Sequence, residues 1–252
     1  MGSTADTSPA TGTGMKIALI GYGKMGKAIE AIALQRGHEV VLKIDVDNAS
    51  QFTASHLQKA DVAIEFTGPQ SAFQNMMKCL EYGVPVVCGS TGWLDKLSAV
   101  TAYCRKQQGC FLYASNFSVG VNIFFEINKR LAELMNPHTD YNISMQEIHH
   151  TQKKDAPSGT AVTLAEQVLE KIDRKKTWVN QPTDQPDELF IISKRIDPAP
   201  GTHSVTYESD IDTIEIIHTA HNRTGFATGA VLAAEFVKGK KGIFSMKEVL
   251  GL

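Results

Sequence analysis

The fold of this chain is decided by the stretch Met15-Lys-Ile-Ala-Leu-Ile-Gly-Tyr-Gly-Lys-Met-Gly26, where an apolar run ends directly in glycines spaced as GxGxxG. The apolar run predicts a buried β-strand, and the residues that follow have helical spacing. In such a turn the first glycine bends the chain, the second admits a phosphate close to the backbone, and the third lets the helix pack on the strand. The stretch therefore predicts a dinucleotide-binding turn formed by Gly21, Tyr22, Gly23, Lys24, Met25 and Gly26.

From Met15 onward, short apolar runs alternate with longer segments of helical periodicity. The predicted strands are 15–20, 39–44, 61–66, 84–87 and 110–113, and the predicted helices cover 21–36, 69–82 and 94–108. This alternation is typical of parallel strands joined by helices that cover both faces of the sheet. We therefore predict a Rossmann-type, doubly wound α/β domain at 15–117.

After Asn116 the pattern changes to a predicted helix at 119–135 and then to strand-like segments at 141–148, 189–195, 203–207 and 213–221. The last two alternate apolar and polar residues in part, which favours a mixed or antiparallel sheet. We expect a second, α+β domain at 118–226. A final helix at 227–237 and the tail to Leu252 are expected to complete the first domain.

Composition narrows the class of partner. The 252 residues contain 25 Lys and Arg against 27 Asp and Glu, for a formal net charge of -2, with no long basic run. This balance disfavours nucleic acid or an anionic membrane as the main partner. No apolar run approaches the roughly 20 residues that span a bilayer. We therefore expect a small-molecule ligand, no nucleic acid or membrane partner, and a cytoplasmic location.

Composition also bears on the N-terminus and the cysteines. Residues 1–14 are rich in Ser, Thr, Gly and Ala and lack both a signal-peptide pattern and Arg, so we interpret them as a flexible leader preceding a native start at Met15. The cysteines form no CxxC pair and have no histidine at zinc-finger spacing. We predict reduced core thiols at Cys79, Cys88, Cys104 and Cys110.

Asp45 ends the second predicted strand at the spacing expected for an acid that binds the adenosine ribose. Such a carboxylate accepts hydrogen bonds from the ribose hydroxyls and repels a 2′-phosphate, which favours NADH over NADPH. Lys43 and Lys24 lie close enough in sequence to weaken that preference. The alternative is an exposed turn carboxylate.

Two later strand ends carry the small and hydroxyl residues of Glu65-Phe66-Thr67-Gly68 and Gly89-Ser90-Thr91-Gly92. Ligands of doubly wound sheets bind outside the carboxyl ends of the strands, so these residues suit a nicotinamide ribose and its ring. Each segment taken alone is also compatible with an ordinary turn.

The densest polar segment runs from Glu147 to Thr160 as Glu-Ile-His-His-Thr-Gln-Lys-Lys-Asp-Ala-Pro-Ser-Gly-Thr. It follows a predicted strand and opens a helix at 161–172. Ser158 or Thr160 can cap that helix, and its first amides form an anion site that suits a carboxylate. His149 and Lys153 can donate protons, because neighbouring cations in a closed cleft lower each other's pKa. A solvated charged loop is the alternative.

We predict no metal in this segment. Adjacent histidines cannot easily share one ion, and the apparent carboxylate partner, Glu147, occupies a strand position.

The segment from Glu147 to Ala161 resembles the signature of the 4-hydroxy-tetrahydrodipicolinate reductase (dihydrodipicolinate reductase) family of lysine and diaminopimelate biosynthesis. The resemblance extends over most of the chain from Met15 and includes the glycine turn, 65–67, 89–92, 114–122, Arg195, 200–203 and 221–230. It departs in a glycine turn one residue shorter than the family's common form and in the lack of an arginine after Asp45.

The resemblance implies a two-domain reductase that forms a homotetramer through the sheet of its substrate domain. It implies reduction of a cyclic, unsaturated dicarboxylate to tetrahydrodipicolinate by NADH or NADPH. By motif match, His149 is the proton donor and acceptor, Lys153 a proton donor, and His150, Gly159 and Thr160 bind substrate, together with the predicted capping residue Ser158. The nicotinamide-side positions are Gly89, Ser90, Thr91, Ala114, Ser115, Asn116 and Phe117.

Two other functions remain open on the residues alone. A dinucleotide-sensing regulator would use the same first domain, but it would present a basic recognition helix that the sequence lacks. Another two-domain NAD(P)-dependent amino-acid or semialdehyde dehydrogenase is possible if the His and Lys loop is only architectural.

Overall fold

The computed structural model describes residues 14–222 and 224–252, so residues 1–13 of the predicted leader and Arg223 of the family resemblance lie outside the described part. The chain divides into two compact units. The first contains the described residues through Ala114 together with Ala227–Val249, and the second contains Ser115–Phe226 and Leu250–Leu252. Ser115, Asn116 and Phe117, which the sequence places in the first domain, are grouped with the second unit because Asn116 is bonded to Ser118, Asn122 and Thr160 there.

The first unit begins with strands and helices in strict alternation. These are β1 (Lys16–Ile20), α1 (Lys24–Gln35), β2 (Glu39–Ile44), α2 (Ala54–Leu57), β3 (Val62–Glu65), α3 (Ala72–Glu81), β4 (Val86–Cys88), α4 (Leu97–Gln107) and β5 (Cys110–Tyr113). Short 3-10 segments lie at Val46–Gln51 and Leu94–Lys96. Strands β3 and β4 are buried at every residue, as expected for a parallel sheet with both faces covered.

The second unit begins with a long helix and continues into strands. Its elements are α5 (Val119–Met135), β6 (Asn142–His149), α6 (Gly159–Lys171), β7 (Thr177–Val179), β8 (Glu188–Arg195), β9 (Gly201–Glu208) and β10 (Thr213–Ala220). The chain then returns to the first unit within α7 (Thr224–Val237) and continues with β11 (Gly242–Phe244) and α8 (Met246–Leu250), whose last residue is grouped with the second unit. Among the helices described, none is long and apolar enough to cross a membrane.

The first sheet has the strand order β11-β5-β4-β3-β1-β2, and all of its strand pairs are parallel. The order reverses at β1, because β2 lies on one side of it and β3 on the other. A crevice opens outside the carboxyl ends of the strands at such a reversal. The glycine turn after β1 therefore lies at the ligand-binding point of a doubly wound sheet.

The second sheet is mixed, with the order β10-β9-β6-β8-β7. Strand β9 is antiparallel to both of its neighbours, whereas β6 and β7 each pair in parallel with β8. A core cluster joins one face of this sheet to α5 and α6, with Phe124, Leu164 and Ile191 among its buried members. The predicted fold class, a doubly wound sheet plus an α+β domain, is confirmed.

Two strands, β7 and β11, are not predicted from the sequence, because three residues are too few to show the alternation of apolar and polar side chains typical of a strand. Strand β7 lies in the polar segment before residue 188, where Trp178 packs against the second core. Strand β11 lies in the C-terminal tail and extends the first sheet beside β5.

The four cysteines are free and buried, as predicted. Burial raises the pKa of the Cys110 thiol to about 12, and it also raises the pKa of the Cys79 and Cys88 thiols. Thiols held in the protonated state are poor nucleophiles and poor metal ligands. They behave as small apolar side chains of the first unit.

Candidate active site

The turn between β1 and α1 is shaped by contacts that only glycine permits. Gly21 has a φ of +94°, and a Cβ atom on it would lie 2.1 Å from the backbone oxygen of Phe66. A Cβ atom on Gly26 would lie 2.3 Å from the backbone oxygen of Gly21. Gly23 is the N-cap of α1 and supplies no capping side chain, so the first amides of the helix face an incoming anion. The predicted turn therefore has the shape of a backbone cradle, with uncapped amides at the start of α1.

A cleft of about 680 Å³ opens beside this turn. Its walls include Gly21, Tyr22 and Gly23, with Asp45 after β2 and Thr67 after β3. Its volume lies in the range of small-molecule and cofactor sites. The cleft and the glycine cradle together fit a dinucleotide, because a side chain at the turn would fill the space that the pyrophosphate needs.

A buried carboxylate fixes the wall of the cleft beyond β3. Glu65 Oε1 accepts hydrogen bonds from the Thr67 hydroxyl and, at 3.2 Å, from the Thr67 amide. Its Oε2 accepts one from the Cys88 thiol at 3.1 Å. The Thr67 amide also donates to the Ser90 hydroxyl at 2.8 Å. Glu65 therefore ties the ends of β3 and β4 together and holds two predicted cofactor residues side by side.

Asp45 stands at the rim of the cleft as the N-cap of a 3-10 segment. Its Oδ1 accepts a hydrogen bond from the Val46 amide at 2.8 Å, and its own amide donates to the Asn48 side chain at 2.7 Å. These contacts hold the carboxylate at the end of β2, where a ribose-binding acid is expected.

Lys43, one of the two lysines expected to weaken the preference set by Asp45, is engaged elsewhere. Its Nζ lies 3.0 Å from Glu30 Oε1 and 4.9 Å from the centre of the Tyr22 ring. The hydroxyl of Tyr22 donates to the same Glu30. Hydrogen bonding to Glu30 raises the pKa of Lys43, so the lysine stays charged but paired. Lys24 is exposed in the first turn of α1.

The remaining predicted cofactor residues do not line this cleft. Met25 follows Lys24 in α1, and Gly26 is buried behind the turn. Gly89 packs against the Phe66 ring, where a Cβ atom would lie 2.2 Å from Cζ, and Thr91 is exposed. Ala114 and Phe117 are buried and Ser115 is exposed.

In the second unit, strand β6 sets out the polar side chains at its carboxyl end. Its buried residues alternate, so Ile143, Met145, Glu147 and His149 share one face. The first two belong to the apolar core, whereas the last two are polar. Across the sheet, Glu147 is opposite His203 of β9, and His149 is opposite Arg195 of β8. The register thus gathers an acid, two imidazoles and a guanidinium.

Glu147 is the centre of this cluster and is fully buried. Its Oε2 lies 2.7 Å from His149 Nδ1, and its Oε1 accepts hydrogen bonds from Arg195 Nη2 at 3.0 Å and from the Ser158 amide at 3.2 Å. Burial alone would raise the pKa of Glu147, but its bonds with His149, Ser158, Ser193 and Arg195 hold that pKa well below its usual range. The carboxylate is therefore ionised.

Arg195 also fastens the loop that carries Lys153. Its Nε donates to the backbone oxygen of Lys153 at 3.2 Å, and its Nη2 donates to the backbone oxygen of Asp155. The Lys153 ammonium lies 2.8 Å from both carboxylate oxygens of Asp155. The resulting arrangement is a loop whose backbone is clamped to β8 while its lysine remains a charged donor.

Helix α6 begins at the same cluster. Ser158 is its N-cap and accepts from the Ala161 amide at 3.3 Å, and the same hydroxyl lies 3.0 Å from His203 Nε2. Burial and the nearby His149 lower the pKa of His203 to about 3, so its ring is neutral. Thr160 accepts from the Asn116 side chain at 3.3 Å. Gly159 is open, since a Cβ atom there would meet nothing within 4 Å.

His150 follows the end of β6 and is partly exposed, and its backbone oxygen accepts from the Lys153 amide at 3.1 Å. His149 is the last residue of β6 and is buried, whereas His150 lies in the following loop, so the two rings have different surroundings. The structure therefore brings His149 together with Ser158, and Thr160 together with Asn116, while His150 borders the loop of Lys153.

Glu147 lies close to His149 and His203, although its strand position was expected to keep it from acting as a metal ligand. The strand position of Glu147 does not separate it from the histidines, and the ligand atoms of Glu147, His149 and His203 lie within 4.8 Å of one another. Their contacts are those of a charge network, because Arg195 occupies one oxygen of Glu147 and His149 approaches the other to 2.7 Å. A site without metal stays a prediction.

Sequence reasoning gave no role to Glu147, Arg195 or His203. The spacing of Glu147 and His149 as alternate residues of one strand was the available signal. The two partners on β8 and β9 could not be found that way, because strand register decides which residues face each other.

Both units match the model of one known family. Residues 15–117 match the dihydrodipicolinate reductase N-terminus, and residues 120–250 match its C-terminus. A 4-hydroxy-tetrahydrodipicolinate reductase from Christiangramia forsetii is 51% identical over 236 residues, which cover 94% of this chain and 98% of the relative. The enzyme of the same name from Neisseria meningitidis serogroup C is 36% identical over 231 residues, with coverage of 88% and 84%.

The solved structures agree on the fold. A dipicolinate-bound dihydrodipicolinate reductase from Paenisporosarcina sp. TG-14 superposes with a TM-score of 0.72 at 23% identity, covering 92% of this chain and 97% of that one. A probable dehydrogenase from Thermotoga maritima, at 8% identity, has a TM-score of 0.56 and coverage of 94% and 93%. The matched models and the identity to the relatives go further than fold, and this chain belongs to the dihydrodipicolinate reductase family.

Proposed function

We propose that this chain is a 4-hydroxy-tetrahydrodipicolinate reductase, an NAD(P)H-dependent oxidoreductase that produces tetrahydrodipicolinate for diaminopimelate and lysine biosynthesis. The observation that carries the proposal is the buried cluster at the end of β6, where His149, Glu147 and the clamped loop of Lys153 meet the start of α6. The relative with 51% identity carries this activity in its name and covers nearly the whole chain.

The residues of the first unit fit a reduced dinucleotide. When bound, its nicotinamide supplies the hydride that reduces a ring carbon of the substrate. Gly21 permits the tight turn, Gly23 leaves room for the pyrophosphate, and the uncapped start of α1 offers it backbone amides. Thr67, fixed by Glu65, supports the ring end of the cleft, and Ser90 lies beside it.

The second unit supplies the proton and holds the substrate carboxylates. Lys153 or His149 donates the proton that the reduced conjugated imine requires, since both carry a movable proton in the same cluster. His150, Gly159 and Thr160 are proposed to bind the carboxylates together with the Lys153 ammonium. Ser158 contributes through its hydroxyl and as the N-cap, because its amide already donates to Glu147.

Contacts at the rim of the cleft favour NADH over NADPH. Asp45 presents a carboxylate where the adenosine ribose is expected, and a 2′-phosphate there would be repelled. Lys43, the nearest lysine in sequence, is paired with Glu30 and is not free to neutralise that phosphate. Lys78 also lines the cleft, but its Nζ lies 5.0 Å from the centre of the Phe52 ring.

The outer strand of the second sheet supports a homotetramer. Strand β10 pairs with β9 on one side only, and Ile214 and Ile217 are exposed on it. An exposed edge strand with apolar side chains is a favourable surface for pairing with another copy of the chain. The free thiols suit a reducing compartment, and we propose that the protein works in the cytoplasm.

The test is an assay of NADH and NADPH oxidation with substrate generated enzymatically in the same cuvette. We expect rapid oxidation that depends on the substrate, with a lower KM for NADH than for NADPH. A matched control is Glu208→Gln, which changes an exposed carboxylate at the far end of the second sheet and should leave the rate unchanged. Oxidation of neither cofactor would remove the proposed function.

A further inference from the structure

We propose that Glu147 is a positioning residue that keeps the neutral ring of His149 in the tautomer protonated at Nδ1, so that Nε2 is the atom that exchanges a proton with the substrate. The inference rests on the role proposed above for His149. It assigns a function to a buried carboxylate that is remote from solvent and needs no substrate contact to act.

The first step is the chemistry of the contact. Glu147 Oε2 lies 2.7 Å from His149 Nδ1, an ion-pair distance at which the ring N–H is out of line for a hydrogen bond, and neither buried atom has a hydrogen-bond partner among the described residues. An anionic oxygen this close repels the lone pair of a bare ring nitrogen and attracts an N–H, so the nitrogen that faces it carries the proton. A neutral imidazole carries one ring proton, and its other nitrogen is then an acceptor. Nε2 is therefore the basic atom of neutral His149 and the acidic atom of the protonated ring.

The second step is the fixation of the carboxylate itself. Its other oxygen accepts hydrogen bonds from Arg195 Nη2 at 3.0 Å and from the Ser158 amide at 3.2 Å. One donor comes from β8 and the other from the start of α6. Because both donors are held by regular elements, turning the carboxylate away from His149 would break its hydrogen bonds to Arg195 and the Ser158 amide and leave a fully buried charge without those partners.

The third step concerns the side of the ring that faces away from Glu147. A Cβ atom on Gly201 would lie 3.0 Å from His149 Nε2 and 3.2 Å from Cδ2. The absence of a side chain at this position leaves space beside Nε2. The same residue lies at the start of β9, two positions before His203.

The charged and titratable groups around His149 come from its own strand and from both neighbouring strands. They are Glu147 on β6, Arg195 opposite on β8, and His203 on β9, whose ring centre lies 5.0 Å from that of His149. The loop clamped by Arg195 adds the paired charges of Lys153 and Asp155. Glu147 is the carboxylate that lies against the ring, so its removal leaves the imidazole beside groups that are cationic or can become so.

The decisive variant is Glu147→Gln, which keeps the shape of the side chain. Arg195 and the Ser158 amide are donors, so they retain the amide oxygen and turn the new NH₂ group toward His149. That group is a donor, and it forces the ring into the tautomer protonated at Nε2. The wild-type and variant proteins should therefore show opposite tautomers.

We would record the imidazole nitrogen spectra of protein labelled with ¹⁵N-histidine across the alkaline range, with His149 identified by its loss in His149→Asn. The expected result is a protonated Nδ1 in the wild type and a protonated Nε2 in Glu147→Gln. A protonated Nε2 in the wild type overturns the inference. Because the wild-type spectrum decides the matter alone, the test survives a variant that fails to fold, and it needs no turnover.

Kinetics separate positioning from mere structural support. Glu147→Gln should lower kcat by at least about 10-fold, because a wrong tautomer disables a proton donor, and should leave the KM for NADH unchanged. A kcat and a KM for NADH that both equal those of the wild type would overturn the inference, whereas an inactive wild type would overturn the proposed function instead.

Discussion

The cleft of the first unit and the charged cluster of the second lie at the carboxyl ends of strands, but they are built in opposite ways. The cleft depends on the lack of side chains at its turn, since neither Gly21 nor Gly26 has room for a Cβ atom. The cluster depends on side chains that are present, with Glu147 bound to Arg195 and close to His149. Additions should therefore damage the first site, and removals should damage the second.

The largest effect is expected from a removal in the second unit. Lys153→Ala takes away the proposed proton donor, which is the ammonium that pairs with Asp155. We expect kcat to fall by a factor of about 10² or more, the usual scale for a positioned proton donor. Dinucleotide affinity, measured by fluorescence titration, should be nearly unchanged. Unchanged turnover would remove Lys153 from the mechanism.

The next effect is expected from an addition in the first unit. Gly21→Ala places a methyl group 2.1 Å from the Phe66 oxygen at a φ of +94°. Strain of this kind costs about 1 to 3 kcal/mol before the contact is counted, and relieving it must displace the turn. We expect NADH to bind at least about 10-fold more weakly, because the displaced turn no longer presents its amides to the pyrophosphate. A 10-fold change corresponds to a loss of about 1.4 kcal/mol of binding free energy.

Gly23→Ala is the matched control that separates backbone strain from lost ligand space, since a Cβ atom there meets nothing within 4 Å of it in the protein. Unlike Gly21→Ala, it should leave the thermal stability unchanged and weaken only NADH binding. Wild-type affinity in Gly21→Ala would contradict the account of the cradle.

These two sites also differ in how far the sequence predicts them. The glycine turn was predictable because its strand, turn and helix are contiguous and each glycine has a local role. The loop of Lys153 was predictable for the same reason. Arg195 and His203 were not predictable, because they are far from Glu147 in the chain and only the register of β8 and β9 against β6 brings them beside it. The sequence also left the Ser158 amide free for substrate, whereas the structure pairs it with Glu147.

Because the second site is built from buried titratable side chains, the stability of the second unit should depend on acid pH. The ordinary pKa of histidine is 6.5, and burial with the nearby His149 lowers the pKa of His203 to about 3. Between these values the unfolded chain binds a proton that the folded chain does not. Stability should therefore fall as the pH falls below 6.5, by up to about 1.4 kcal/mol per pH unit. His218 contributes in the same direction, because burial lowers its pKa too.

His203→Gln should flatten this dependence when unfolding by urea is measured between about pH 6.5 and 4.5, and the exposed His138→Gln is the matched control. Below that window Glu147 adds a second loss, because its pKa in the folded chain is depressed and its protonation breaks the cluster. Equal slopes for His203→Gln and the wild type would show that His203 is not held neutral.

The smallest effect concerns the choice of cofactor. Asp45→Ala removes the carboxylate at the rim of the cleft and with it a hydrogen-bond acceptor for the ribose. The ratio of the KM for NADPH to that for NADH should fall about 3- to 10-fold, the worth of one ordinary hydrogen bond. A strong preference of the wild type for NADPH would show that the role given to Asp45 is wrong.

The central claim is that the first unit binds the hydride source and the second unit prepares the acceptor. Its most direct test uses NADH carrying deuterium at both C4 positions of the nicotinamide, with the enzymatically generated dicarboxylate in ordinary water. The account predicts tetrahydrodipicolinate that gains a single deuterium on a ring carbon, seen by mass spectrometry and NMR. Unlabelled product formed while NADH is oxidised would contradict it.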